Sequence, residues 1–309
     1  MQAQTTSQLL MIRPVRFGFN QQTAQSNAFQ DVAQSLKPQE ITQAKALVEF
    51  DGMVEQLRAA GVVITVIDDT LEPHTPDSIF PNNWISFHAD GTVVLYPMQA
   101  KNRRLERRED IIAQVNEHFQ VNQLIDLSYF EAENKFLEGT GSMVLDRKNL
   151  VAYACLSNRT QVEILNEFGR QTGYKIVSFV ATDAQAKPIY HTNVLMCIGE
   201  NFALICLEAI ADLDERLNVR SNLEKNGKRI IAINHTQMNG FAGNMLQVKT
   251  QAGSNLLVMS SQAYRSLTKA QIKILEEYCR ILHCPLDVIE ANGGGSARCM
   301  MAEIHLPIR

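Results

Sequence analysis

The chain has 309 residues, 45% of them hydrophobic, enough to bury a full core without disulfide or metal staples. A formal charge of -4, with no basic block long enough to track a phosphate backbone, argues against a nucleic-acid partner and favours a small polar substrate. No apolar run approaches the roughly 18 to 20 residues of a membrane span, and the opening MQAQTTSQLLMIRPV lacks the basic flank and apolar stretch of a secretory signal; a cytoplasmic protein with no membrane partner is expected.

In chain order, residues 1–10 are polar and expected to be mobile. Residues 20–40, NQQTAQSNAFQDVAQSLKPQE, read as a surface loop, with a lid over a pocket as the alternative. EFDGMVEQLRAAG and VVITVID then supply a helix and a strand. From there one pattern recurs: two short apolar runs joined by a tight polar turn. Its copies are NWISFHADGTVVLYPM, GSMVLDRKNLVAYACLS, NVLMCIGENFALICLEA and NMLQVKTQAGSNLLVMSS, with CMMAEIHLPI as a last run. Asp90-Gly91 and Ala252-Gly253-Ser254 are turn chemistry at hairpin positions. Amphipathic helical patterns follow several hairpins, in RRLERREDIIAQVNEHF, RTQVEILNEFGRQTG and TKAQIKILEEYCRIL, and each unit ends on one more strand: LIDLS, KIVSFVA, RIIAIN and LDVIEA.

The unit is hairpin, helix, strand, repeated about five times over a single domain, residues 1–309. Such a unit cannot cover its own apolar faces, so the copies are expected to pack around an axis. Polar outliers fall at equivalent places, just before a hairpin: Asn82 and Asn83, Glu138, His191 and Asn193, and Cys299. In a radial array these positions converge at one end of the axis, which brings a Cys, a His and a Glu into one pocket.

Cys299 closes the stretch GGGSARC. Taken alone, a cysteine heading an apolar run is a small buried hydrophobe. The glycines favour a nucleophile instead, because they let backbone approach a ligand closely. The six cysteines, at 155, 197, 206, 279, 284 and 299, lie mostly inside apolar runs, as suits buried thiols in a reducing compartment. Cys279 and Cys284 flank His283 but lack a second ligand pair at finger spacing, so no metal is expected there. His235, in INHTQMNG, is kept as a lesser pocket candidate.

Together GGGSARC, FLEGTGSMVLD, YHTNVLM, SNRT and PDSIFPNNW resemble the guanidine-modifying, or amidinotransferase, superfamily, whose fold is a five-bladed α/β propeller, the pentein. In motif order the chain is similar to arginine deiminase, dimethylarginine hydrolase and agmatine deiminase from Arg13 onward. The resemblance implies a nucleophile at Cys299, a general acid and base at His191 and an orienting carboxylate at Glu138, with no metal or organic cofactor. It further implies a substrate-binding set of Asp77, Phe80, Asn82, Asn83 and Asn193, with Arg103 and Arg159 for an α-carboxylate.

The sequence departs from that family where Asn83 and Asn193 stand in place of the usual aspartates, and where Asn82 stands in place of the glutamate of dimethylarginine hydrolase. Neutral amides remove charge pairing for a guanidinium and suit the carbonyl of a ureido group. The expected partner is therefore a small ureido or guanidino amino acid, with hydrolysis of citrulline to ornithine, carbon dioxide and ammonia as the leading reading. Asp77 keeps arginine deimination or dihydrolysis as the alternative. A non-catalytic binding module, as in the ribosome anti-association members of the fold, is a third reading, and homo-oligomerisation stays open.

Overall fold

The computed structural model describes residues 2–309 and contains five three-stranded sheets. Strand β1 (Gln8–Arg13) runs parallel to β2 (Val63–Asp68), with Leu9 opposite Ile64, and the long helix Gln39–Ala59 makes the crossover. Phe50, Met53 and Leu57 recur on one face of that helix at helical spacing and are buried against the sheet.

The next four sheets are built alike. They comprise β3 (Ile85–Phe87), β4 (Thr92–Leu95) and β5 (Gln123–Asp126); β6 (Met143–Asp146), β7 (Val151–Cys155) and β8 (Lys175–Phe179); β9 (Met196–Ile198), β10 (Phe202–Ile205) and β11 (Arg229–Ala232); and β12 (Leu246–Lys249), β13 (Asn255–Ser260) and β14 (Arg280–Cys284). Within each, the first two strands form an antiparallel hairpin and the third lies parallel to the second after a helical crossover, as parallel pairing demands. Finally β15 (Ala302–Glu303) pairs antiparallel with β1, placing Glu303 opposite Leu9.

The first strands of the sheets neighbour one another: β15 packs beside β3, β6 beside β9, and β9 beside β12. Between the sheets, side chains from adjacent units fill common cores. Leu10, Trp84, Phe87 and Ile304 share one; Tyr96, Leu127, Phe168 and Tyr174 share the next. No helix among the described residues is long and apolar enough to cross a membrane.

Three expectations are corrected. Residues 8–10, expected to be mobile, lie in β1, where Leu9 and Leu10 are fully buried; Gln4 is also buried and donates to the Leu145 carbonyl (3.0 Å). LDVIEA is not a strand: the strand of that unit is β14, and Asp287–Gly293 is a helix. Its first amides, those of Val288 and Ile289, are satisfied by the Glu49 carboxylate from the first crossover helix (2.9 Å each), a partner 239 positions away that periodicity cannot reveal. Residues 297–300 form a turn, so Cys299 precedes the last strand instead of heading it.

Candidate functional site

Each hairpin is entered through one tight turn of chain, and those turns carry the functional side chains. Pro81–Asn83 and Gly139–Ser142 precede β3 and β6; Thr192–Leu195 precedes β9; residues 241–243 and 297–300 do the same before β12 and β15. Glu138 and His191 sit at the first position of their turns, outside helical geometry, which directs both side chains inward. Two buried glycine positions make room. A Cβ on Gly141 would lie 2.8 Å from the His191 ring, and one on Gly293 would lie 2.7 Å from the Phe80 ring.

The structure brings Glu138, His191, Cys299, Asp77, Phe80, Asn83, Arg103 and Arg159 around one narrow buried cavity. Its free volume is about 10 Å³, roughly the space of one water. His191 Nε2 meets Glu138 Oε2 at 2.8 Å. Burial pulls the His191 imidazole down to about 4 against the pull of Glu138, so the ring rests neutral. Burial alone raises the Glu138 carboxyl, but the Arg159 charge and the His191 hydrogen bond outweigh it and hold the group well below the usual carboxylate range.

Cys299 receives two amide donors: Asn193 Nδ2 at 3.4 Å and Asn244 Nδ2 at 3.3 Å from Sγ. Asn82 lies behind the cavity wall, where its Oδ1 accepts from Asn83 Nδ2 (3.0 Å). Asp77 Oδ2 accepts from Asn20 Nδ2 (2.7 Å) and the Thr23 hydroxyl (3.3 Å), whereas its Oδ1 is buried without a partner. Burial pushes the Asp77 carboxyl up, opposed by Arg103.

The arginines differ from the expectation of free carboxylate ligands. The Arg103 fork is taken by Glu106, with Nε and an Nη each 2.9 Å from a carboxylate oxygen, and its other Nη donates to Asn83 Oδ1 (2.8 Å). Arg159 donates to Glu138 Oε2 (3.3 Å), the Ser26 hydroxyl (2.6 Å) and the Thr23 carbonyl (3.2 Å), and its guanidinium lies 4.8 Å above the Tyr190 ring. Residues 20–30 thus form a strap across the site. Asn27 Nδ2 donates to the Gly293 carbonyl (3.2 Å), and Gln30 Nε2 donates to that of Asn292 (2.9 Å).

His235 lies away from this cavity, beside Cys206 and Glu208, with the ligand-type atoms of all three within 4.8 Å of one another. His283 is bonded to the Ser261 hydroxyl (3.0 Å) and stacks on Tyr264, while the Cys279 thiol donates to the Leu275 carbonyl (3.5 Å), so these groups do not converge on one point.

The sequence reading missed Asn244, Glu106 and Tyr190, and it placed a lid over residues 20–40 only as the alternative to a surface loop. Asn244 was recoverable: it opens NMLQVKTQAGSNLLVMSS, the fourth copy of the hairpin pattern, at the pocket position of the repeat. Tyr190, whose hydroxyl donates to the Gly294 carbonyl (2.7 Å), adjoins His191 and carries no periodic signal.

No curated protein matches the sequence. Among solved structures, the N-terminal domain of ArgZ, an arginine dihydrolase from the ornithine-ammonia cycle in cyanobacteria, is similar with TM-score 0.76 and 16% identity, over 97% of this chain and 98% of that one. Unliganded AgrE matches with TM-score 0.75 and 17% identity over 98% of this chain, but only 40% of its own. A dimethylarginine dimethylaminohydrolase adduct with S-methyl-L-thiocitrulline gives TM-score 0.67 and 15% identity, over 97% of this chain and all of that one. These likenesses establish the shared α/β fold. The sequence itself matches one family across residues 13–306. The chain therefore belongs to the family described as N,N dimethylarginine dimethylhydrolase, eukaryotic, a group of C–N hydrolases within the guanidine-modifying superfamily.

Proposed function

We propose that the protein is a cysteine-dependent hydrolase of a ureido amino acid, with citrulline as substrate, working in a pocket at one end of a five-bladed propeller. The adjacency of the first strands and the cores shared between sheets support the radial arrangement. The observation that carries the substrate reading is charge. Glu138 is paired with Arg159, and Arg103 lies 2.9 Å from Glu106 and 3.8 Å from Asp77, so each carboxylate at the cavity already faces an arginine. Little negative potential is left to offset the desolvation of a guanidinium, whereas a neutral ureido group needs only the amides of Asn83 and Asn193.

In this mechanism neutral His191 takes the Cys299 proton, and the thiolate attacks the ureido carbon. His191, stabilised as a cation by Glu138, gives the proton to the departing nitrogen. Water activated by His191 then displaces sulfur, and the released carbamate collapses, so that citrulline and water give ornithine, carbon dioxide and ammonia. An amino acid does not fit in about 10 Å³, so residues 20–30 must lift; their withdrawal takes Thr23 and Ser26 off Arg159 and frees its fork for the α-carboxylate.

The second reading, arginine dihydrolysis, rests on the unpartnered Asp77 Oδ1, which is placed to accept from a guanidinium N–H. Purified protein incubated separately with citrulline, arginine and dimethylarginine, with Cys299→Ser as the blank, separates the readings. One ammonia per ornithine from citrulline supports the first, and two from arginine the second. Turnover of dimethylarginine alone, or of none of the three, overturns both.

A further inference from the structure

We infer that Asn244 is a further catalytic residue, which together with Asn193 holds the Cys299 sulfur as a thiolate through two neutral amide donors. The amide of Asn244 has one orientation its partners allow. Its Oδ1 accepts the backbone N–H of Arg298 at 3.0 Å, so Nδ2 must turn toward the Asn193 carbonyl (2.9 Å) and Cys299 Sγ (3.3 Å). One fully buried side chain therefore grips both the backbone just before the nucleophile and the nucleophile's own sulfur. The reverse contact, Sγ to Oδ1, is longer at 3.7 Å and reaches an oxygen already engaged.

Asn193 supplies the second donor at 3.4 Å, on the one-turn segment that follows His191. An N–H directed at sulfur favours the ionised form, and it does so more strongly in a buried, low-dielectric site. Other thiols of the chain have the opposite arrangement. Cys155 and Cys279 donate to the carbonyls of Ile189 (3.4 Å) and Leu275 (3.5 Å), which fixes the protonated form, and burial pushes them up to about 12 and about 11. Forming the thiolate breaks only the S–H bond; the electron pair stays on sulfur and the proton passes to neutral His191, which keeps it for the departing nitrogen, while the two amides hold the charge on sulfur.

The inference rests on Cys299 being the nucleophile, and its test reads Cys299 without substrate, so failure of the citrulline reading leaves it intact. Iodoacetamide alkylation of Cys299 is followed against pH by peptide mass spectrometry in the intact protein. Asn244→Asp keeps the acceptor for the Arg298 amide and turns a carboxylate oxygen toward sulfur. It is expected to raise the midpoint by more than one pH unit and to slow alkylation at pH 7 at least tenfold, with a smaller rise for Asn244→Ala. An unshifted profile in either variant, shown to be folded by its melting transition, overturns the role.

Discussion

Glu138 answers to two partners at once, His191 at 2.8 Å and the Arg159 guanidinium at 3.3 Å. Glu138→Gln keeps the shape of the side chain but offers His191 a neutral oxygen and leaves the Arg159 guanidinium facing an amide. Loss of the charge that stabilises the imidazolium is expected to lower turnover by about 10²- to 10⁴-fold, the range of general acid–base catalysis, with a smaller change in KM. Steady-state kinetics beside a melting curve would decide this, and a folded variant with near-normal turnover removes Glu138 from the mechanism. The convergence of Glu138, His191 and Cys299 was legible in the sequence because each interrupts an apolar pattern at the same phase of the repeat. Tyr190 and Glu106 interrupt nothing. Their importance comes from contacts to a backbone carbonyl and to a neighbouring arginine, which carry no periodic mark.

At the scale of elements, the hairpins were legible because short continuous apolar runs, buried on both faces, are joined by turn residues such as Asp90-Gly91. Helix Leu213–Lys225 was not, since its apolar residues are split between buried Val219 and Leu223 and exposed Leu213 and Leu217 and mark no single face. The strap of residues 20–30 was left between surface loop and lid for a related reason. It holds the site through side-chain amides, a hydroxyl and a backbone carbonyl, and composition does not tell these from solvated groups. Because it is held by side-chain hydrogen bonds and, through Phe29, by one aromatic contact with Tyr190 and Phe241, its amides are expected to exchange hydrogen faster than those of the flanking β1, and faster still when citrulline bound to the Cys299→Ser protein draws Thr23 and Ser26 off Arg159. Exchange unchanged by a bound ligand would reject a covering role for the strap.

For the molecule as a whole, charges buried away from the pocket matter as much as those in it. Glu303 accepts from Arg298 (2.8 Å) and lies 3.5 Å from Arg147, so one carboxylate joins the last turn to the sheet of β6. Glu303→Gln leaves two buried guanidinium groups without an anion and is expected to destabilise the fold by about 3–5 kcal/mol, read as a lower denaturation midpoint in urea; an unchanged midpoint shows the network to be dispensable. Acid acts on the same molecule through its histidines. Burial pulls His191 and His305 down to about 4, so between that value and the ordinary 6.5 the unfolded chain binds protons that the folded chain refuses. The contribution of these two rings is therefore fully present above about pH 6.5 and is lost as pH falls toward 4, by up to about 3 kcal/mol for each ring, whereas buried Glu106 and Glu290, pushed up to about 8 and about 7, act in the opposite sense. Urea midpoints of the wild type and of His305→Asn measured from pH 7 to pH 4 isolate one ring: the variant is expected to lose less stability on acidification, and parallel profiles contradict this. One last consequence concerns time. Strand β1 is flanked on one side by β15, which follows Cys299 closely, so β1 waits for a strand about 290 residues further on and keeps an open edge until synthesis has passed Glu303. Cys299, the proposed nucleophile, arrives in the same stretch that closes that edge, so a chain made only as far as the fourth hairpin carries the histidine and carboxylate of the pocket but not its sulfur.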